Sequence, residues 1–441
     1  MKSVVLKMQR SILFDPLLAA LIVIISSWRY FGRAFADRGR SLVLDWADTP
    51  TLTKHMAADP WSQWFTGQWV GGTNFYRPFT SLAWGILFKR YGMHGLMQFD
   101  FVQAVSHVAG TVIAWLLVRE LFGRWIGLAT LAFFCFSAVE RLGLPNVHYG
   151  LTSWIDTPEQ WLLIGTFGSA LAFVLAGRTG SKAAYYASLL LLIFGIGVKE
   201  SAYVTPVMLL WVLWVQKKLS RDWRKTVPHF VITFLLIAYR LAIFHGHGMT
   251  YGSNRMWPVR FVTNAFGGQP LVEVIQGGLA SLIVLAFCVF VGGVVHAISG
   301  KSLKTAGAAL FAGLLFAAML QCEARQLGID AWLDAARYFT ADKGEWAPPL
   351  IASAVPTFVI FAIWVDIFLR RSIVKWQAVC LVIILYSPML VTASWMHALY
   401  CCGVAWALVL ATIVVPMLGV PECAAIGFAG QLGRSTTGST A

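Results

Sequence analysis

Charge is what this sequence has least of: Asp, Glu, Lys and Arg make up 12% of its 441 residues, while 58% are hydrophobic. Mean hydropathy is +0.69. These values exclude an ordinary water-soluble domain, in which about a quarter of residues are charged. Acids are the scarcer sign, 20 against 34 Lys and Arg, for a formal net charge of +14. The positive excess is spread through short connectors and nowhere forms a dense patch interleaved with aromatics, so a nucleic-acid surface is excluded. The seven cysteines (Cys135, Cys288, Cys322, Cys380, Cys401, Cys402, Cys423) lie mostly in apolar runs and show no CxxC spacing. That excludes a disulfide framework or a cysteine metal site and leaves small buried hydrophobes. No small-residue cleavage site closes the first apolar run before Trp28, so that run is expected to be a retained helix and not a removed signal. No repeat period of tens of residues is visible, which argues against an appended repeat module.

What the sequence does have is long apolar runs. A bilayer core of about 30 Å takes roughly 20 apolar residues per helix. Runs of that kind fall at about 11–28, 98–118, 125–143, 160–176, 184–198, 201–216, 227–244, 273–295, 305–320, 350–369, 376–392 and 401–418. They predict an all-α integral membrane protein of about twelve transmembrane helices, one polytopic domain over residues 1–427, with a Gly/Ser/Thr-rich tail at 428–441 that is expected to be disordered. Every second connector is basic: Lys2, Lys7 and Arg10; Arg119 and Arg124; Arg178 and Lys182; Lys217 to Lys225; Lys301 and Lys304; Arg370, Arg371 and Lys375. Acids such as Asp37, Asp156, Glu159 and Asp330 fall in the other connectors. Basic connectors are retained in the cytoplasm, so both termini are expected there, and membrane lipids are the partners of the remaining charge.

Two connectors on the far face are long, at about 29–97 and 321–349, and loops of that length usually carry function. In the first, "FTSLAWGILFKRYG" is interrupted by Lys89 and Arg90 before it can span. It reads as an amphipathic helix in the interface, with Tyr76, Trp84 and Tyr91 at headgroup depth and Arg77 beside lipid phosphates. In "LVLDWADTPTL", Asp45 and Asp48 are candidates for a general base, or are solvated loop acids; Asp48-Thr49-Pro50 is also a good helix start. Ionisable residues at the edges of apolar runs are costly and tend to pair or to serve a site. Lys199 and Glu200, Arg240 and His397 are of this kind. Their plainer readings are an outward-snorkelling turn, an interfacial anchor and a core histidine, respectively. His107 is read as a hydrogen-bonding partner for a neighbouring helix. His245 and His247 have metal-compatible spacing but no third ligand near them, and no metal site is assigned.

The order of these pieces resembles a family. "FYRPFTSLAWGILFKRYGMHGLMQFDFVQAVSHVAGTVIAWLLVRELFG" is similar to the Tyr-Arg-Pro segment, amphipathic helix and second transmembrane helix of the GT-C superfamily glycosyltransferases. Within that superfamily the run resembles the multi-spanning mannosyltransferases with TPR repeats and their bacterial relatives. "SWIDTPEQWLL", "GVKESAYVTPVMLL" and "YRLAIF" come next in the family's order, covering about residues 40–245, with a weaker echo at "WMHALYCCGVAWALVLA". Asp45 is followed by Trp46 where the family carries adjacent acids, and His397 stands where it carries Arg. No TPR array follows the membrane runs in this sequence, so acceptor selection by repeats is not expected.

The resemblance implies a GT-C-like fold and a sugar transferase on the non-cytoplasmic face, placed in a bacterial inner membrane. Its donor would be a polyprenyl-phosphate sugar, its acceptor a protein, lipid or glycan hydroxyl, and no cofactor besides that lipid-linked substrate is assigned. Asp45 or Asp48 would be the base, with Tyr76, Arg77, Lys199, Glu200, Arg240 and His397 at the donor phosphate. Two other classes share the sequence features: a transporter or flippase, for which matched halves with broken helices are missing, and a non-catalytic assembly subunit keeping the same shell.

Overall fold

A computed structural model describes residues 14–36, 65, 76–91, 96–136, 157–244, 363–369, 371–390 and 400–418. Among them there are helices and turns but no strand. The helices are α1 (Phe14–Ala36), α2 (Pro78–Tyr91), α3 (Leu96–Phe122), α4 (Arg124–Cys135), α5 (Thr157–Thr179), α6 (Lys182–Val198), α7 (Thr205–Val215), α8 (Val227–Ile243), α9 (Ile373–Tyr386) and α10 (Tyr400–Met417). Among the described residues, three stretches are long and apolar enough to cross a membrane, Phe101–Phe122, Pro158–Thr179 and Leu219–Ile243; shorter apolar helices accompany them. Helices suit this setting because they satisfy their own backbone groups where water is absent. The apolar runs at 273–295 and 305–320, most of 350–369, and the loop at 321–349 lie outside the described residues.

The chain divides into two compact units. The first is Met1–Ser137, Asn146–Trp257 and Gln377–Ala441, and it holds nearly all of the described helices. Helix α5 is central in it, packed on α3, α6, α7 and α10, with Leu163, Phe167 and Ala170 fully buried. Helices α1 and α8 carry large exposed apolar side chains, among them Leu17, Ile24, Phe234 and Leu235, as suits faces turned to lipid. Of the second unit, Ala138–Pro145 and Pro258–Trp376, the described part is 363–369 and 371–376, where Lys375 pairs with Asp366 and both are buried.

Local sequence accounts for the helix boundaries. Gly180 takes a left-handed φ of 70° between α5 and α6, a conformation that costs glycine little. Ser181 then caps α6 by accepting a hydrogen bond from the Ala184 N–H at 3.2 Å. Prolines sit in the first turns of α7 and α8, where no helical N–H is lost. Near the start of α1, Asp15 is buried and paired with Arg124 and, at 3.4 Å, with Arg119, tying α1 to the α3–α4 turn.

Helices α5 and α6 touch through glycines. A Cβ on Gly165 would stand 2.5 Å from the Gly195 Cα and 2.8 Å from its N. Backbone meets backbone there, so neither side can yield by rotating a side chain. Gly165→Ala is therefore expected to destabilise the protein by about 1–3 kcal/mol through overpacking, read as a lower thermal midpoint in detergent; an unchanged midpoint would show that the two helices part without cost.

Candidate functional site

Three segments distant in sequence meet at one end of α6 and α8: the residues leading into α2, the α6–α7 connector and the end of α8. Docking of α2 brings the first into place. Trp84 and Phe88 pack with Trp161 and Val198, with the Trp84 and Trp161 rings 5.3 Å apart. Phe79 stacks on Phe194 at 5.9 Å. The Thr80 hydroxyl donates to the Val198 carbonyl at 3.0 Å, satisfying one of the acceptors that a helix end leaves open. Trp84 is thus wholly buried and packs against protein instead of facing headgroups. An aromatic on a short apolar helix serves a headgroup belt or a core equally well, and here Trp161 supplies the core.

Arg77, one residue before α2, is turned inward. Its Nε and Nη2 donate to Glu200 Oε2 at 3.2 and 3.1 Å. Arg240, near the end of α8, is 2% exposed, and its Nη2 lies 3.6 Å from Glu200 Oε1. One carboxylate therefore faces two guanidiniums, one at each oxygen. Tyr203 also lies against Arg240. Tyr76 packs edge-on against Tyr239 at 5.9 Å and Phe244 at 6.4 Å, closing the side of the cluster next to α8. Burial, with Tyr239 adding to it, raises the Tyr76 phenol above its ordinary pKa. In the connector outside both helices, burial alone would push the Glu200 carboxyl up, but Arg77 and Arg240 outweigh it and hold the group below its ordinary value.

Backbone geometry separates Lys199 from this cluster. Lys199 ends α6 in an extended conformation, φ −156° and ψ 141°, and successive side chains on extended backbone diverge. Its ammonium pairs with Glu159 in the first turn of α5, and both residues are buried. The connector is a turn, as one reading of the sequence had it, but its two charges point into the protein. Breaking one partner of a buried pair costs about 3–5 kcal/mol, whereas replacing both with apolar groups is far cheaper. Lys199→Met and Glu159→Gln should each lower the unfolding midpoint strongly and the double variant by less than either alone; additive losses would show that the two do not act as a pair.

Asp45, Asp48 and His397 lie outside the described residues. His107 shares a hydrogen bond with the Tyr400 hydroxyl on α10, a link between helices. Among the described residues, no group of three His, Cys, Asp or Glu is placed to hold a metal ion. The cluster occupies the ends of α6 and α8 opposite to Lys182, Arg221, Arg224 and Lys225. At 1.5 Å per residue, the 17 residues of α6 set those ends about 25 Å apart. At that basic end the Tyr185 hydroxyl donates to the Lys225 carbonyl at 2.8 Å.

Residues 87–243 match the family model described as dolichyl-phosphate-mannose-protein mannosyltransferase. The match takes in Glu159, Lys199, Glu200 and Arg240; Tyr76 and Arg77 precede it. It points to a membrane glycosyltransferase of the GT-C type, in line with the resemblance read from the sequence. No curated protein and no solved structure matches the chain.

Proposed function

We propose that this protein transfers a sugar from a polyprenyl-phosphate donor to an acceptor hydroxyl at the non-cytoplasmic face of a bacterial inner membrane, with inversion at the anomeric carbon. The observation that carries this reading is the convergence of Arg77 and the buried Arg240, 163 positions apart in the chain, on one carboxylate at the end of the bundle away from the basic connectors. Fixed guanidiniums at that depth are suited to a lipid phosphate.

In the reaction, the acceptor oxygen attacks the anomeric carbon and the bond from that carbon to the phosphate oxygen breaks. The bonding pair stays on the phosphate, and the hydroxyl proton goes to Asp45 or Asp48. The two arginines act where charge grows, on the departing phosphate, and hold it in line with the attacking oxygen. Tyr76 and Lys199 border the same end of the bundle, and His397 is assigned to the phosphate by family resemblance alone.

Purified protein incubated with radiolabelled polyprenyl-phosphate sugars and a panel of hydroxyl acceptors tests the reading. Transfer of label with release of polyprenyl phosphate supports it; absence of transfer from every donor, with the protein folded, overturns it.

A further inference from the structure

The net charge of the cluster bears on which lipid phosphates it can hold, an inference that rests on the proposed polyprenyl-phosphate donor. Among the described residues, two positive side chains, Arg77 and Arg240, share one negative one, Glu200, while Lys199 pairs separately with Glu159. The Lys199–Glu159 pair is balanced within itself, and the Arg77–Glu200–Arg240 group, with two positive charges and one negative, carries one net positive charge. We infer that Glu200 is the specificity-determining residue for donor charge: it leaves the two arginines able to balance a phosphate diester with one negative charge and makes them a poor host for a diphosphate.

Glu200 is built to stay in place while a donor binds. It is 5% exposed and has an arginine at each oxygen, and a buried carboxylate that left these partners would face a large desolvation penalty. Retaining them does not prevent phosphate binding, because a guanidinium carries five N–H donors in a planar fork and serves more than one anion at once. A singly charged phosphodiester brings the cluster to neutrality. A diphosphate brings at least one further negative charge into surroundings where unbalanced charge is poorly tolerated. Without Glu200 the arginines would carry two positive charges, and that penalty would disappear. Glu200 touches the groups that hold the donor and not the reacting atoms, so it acts as a positioning and charge-setting residue.

The test measures binding of two short probes, farnesyl methyl phosphate and farnesyl diphosphate, to the full chain in detergent. In the unchanged protein the diester is expected to bind more tightly than the diphosphate. Glu200→Gln is expected to shift the ratio of the two affinities towards the diphosphate by about tenfold or more, the size expected for one unit charge a few ångströms away in a partly buried site. Glu200→Asp keeps the charge and is expected to keep the ratio even if both probes bind less well. Arg77→Gln leaves Arg240 facing Glu200, removes one positive charge and is expected to move the ratio further towards the diester, which keeps the inference testable should Glu200→Gln fail to fold. An unchanged ratio in the Gln variants, or equal loss of both probes, overturns the role of Glu200 alone. If the unchanged protein binds neither probe, the donor reading falls and this inference with it.

Discussion

The Arg77→Ala, Arg240→Ala double variant is expected to lose both sugar transfer and much of its stability, while adding Glu200→Gln to the pair restores the stability and leaves transfer lost. Arg77 donates charge-assisted hydrogen bonds to Glu200, worth about 1.5–3 kcal/mol, Arg240 forms an ion pair with it, and a donor phosphate would draw on the same guanidiniums. Arg77→Ala alone leaves Arg240 facing Glu200, so that variant is expected to fold with activity reduced. Removing both arginines strands a buried carboxylate, which costs about 3–5 kcal/mol and should appear as a large drop in the thermal midpoint. Neutralising Glu200 removes that penalty but supplies no phosphate contact. Thermal unfolding in detergent and the labelled-donor assay separate the two effects. Full transfer by the double variant would sink the phosphate clamp; a triple variant as unstable as the double would show that the arginines hold the fold by something other than charge balance.

The helical skeleton was legible because lipid imposes one simple rule on sequence. The apolar run read at 227–244 is α8 at Val227–Ile243, and the run at 184–198 is α6 at Lys182–Val198. Where the rule fails, the reason is visible. The first run ends at Trp28 by apolarity, yet α1 continues to Ala36, because Arg29 and Arg33 are good helix formers and a helix leaving the hydrocarbon needs no apolar side chains. Arg77, Glu200 and Arg240 were picked out by their cost at the margins of apolar runs, and the structure brings them together. Their mutual arrangement was not legible, since ion pairing across 123 positions leaves no local trace. Glu159 was missed as a partner for Lys199 for a related reason. It stands in the first turn of α5, where an acid already has a sufficient explanation in the helix dipole. Its one signal was opposite charge at the edge of another apolar run on the same predicted face.

The base is the residue whose loss should cost most. Asp45 is placed by its resemblance to the acidic position of the GT-C first external loop, and the following Trp46 leaves it without the adjacent acid seen there. Asp48 has a competing explanation in the sequence pattern Asp48-Thr49-Pro50, which suits a helix start with Asp48 as its cap. Asp45→Asn keeps the size and much of the hydrogen bonding of the side chain but removes the basic oxygen, so turnover should fall by the roughly 10²- to 10⁴-fold expected of a positioned base. Donor binding should persist, because the arginines that would hold the phosphate are untouched. Asp48→Asn should change little: even replacement by Ala would cost about 0.5–2 kcal/mol as a lost cap, and Asn caps nearly as well as Asp. Single-turnover transfer from a labelled donor, with donor binding measured in parallel, reads both variants. Loss of transfer in Asp48→Asn with Asp45→Asn unaffected would reverse the assignment. Full transfer by both would remove the proton acceptor from the mechanism and leave a membrane shell that binds a lipid phosphate without turning it over, which is what an assembly subunit would do.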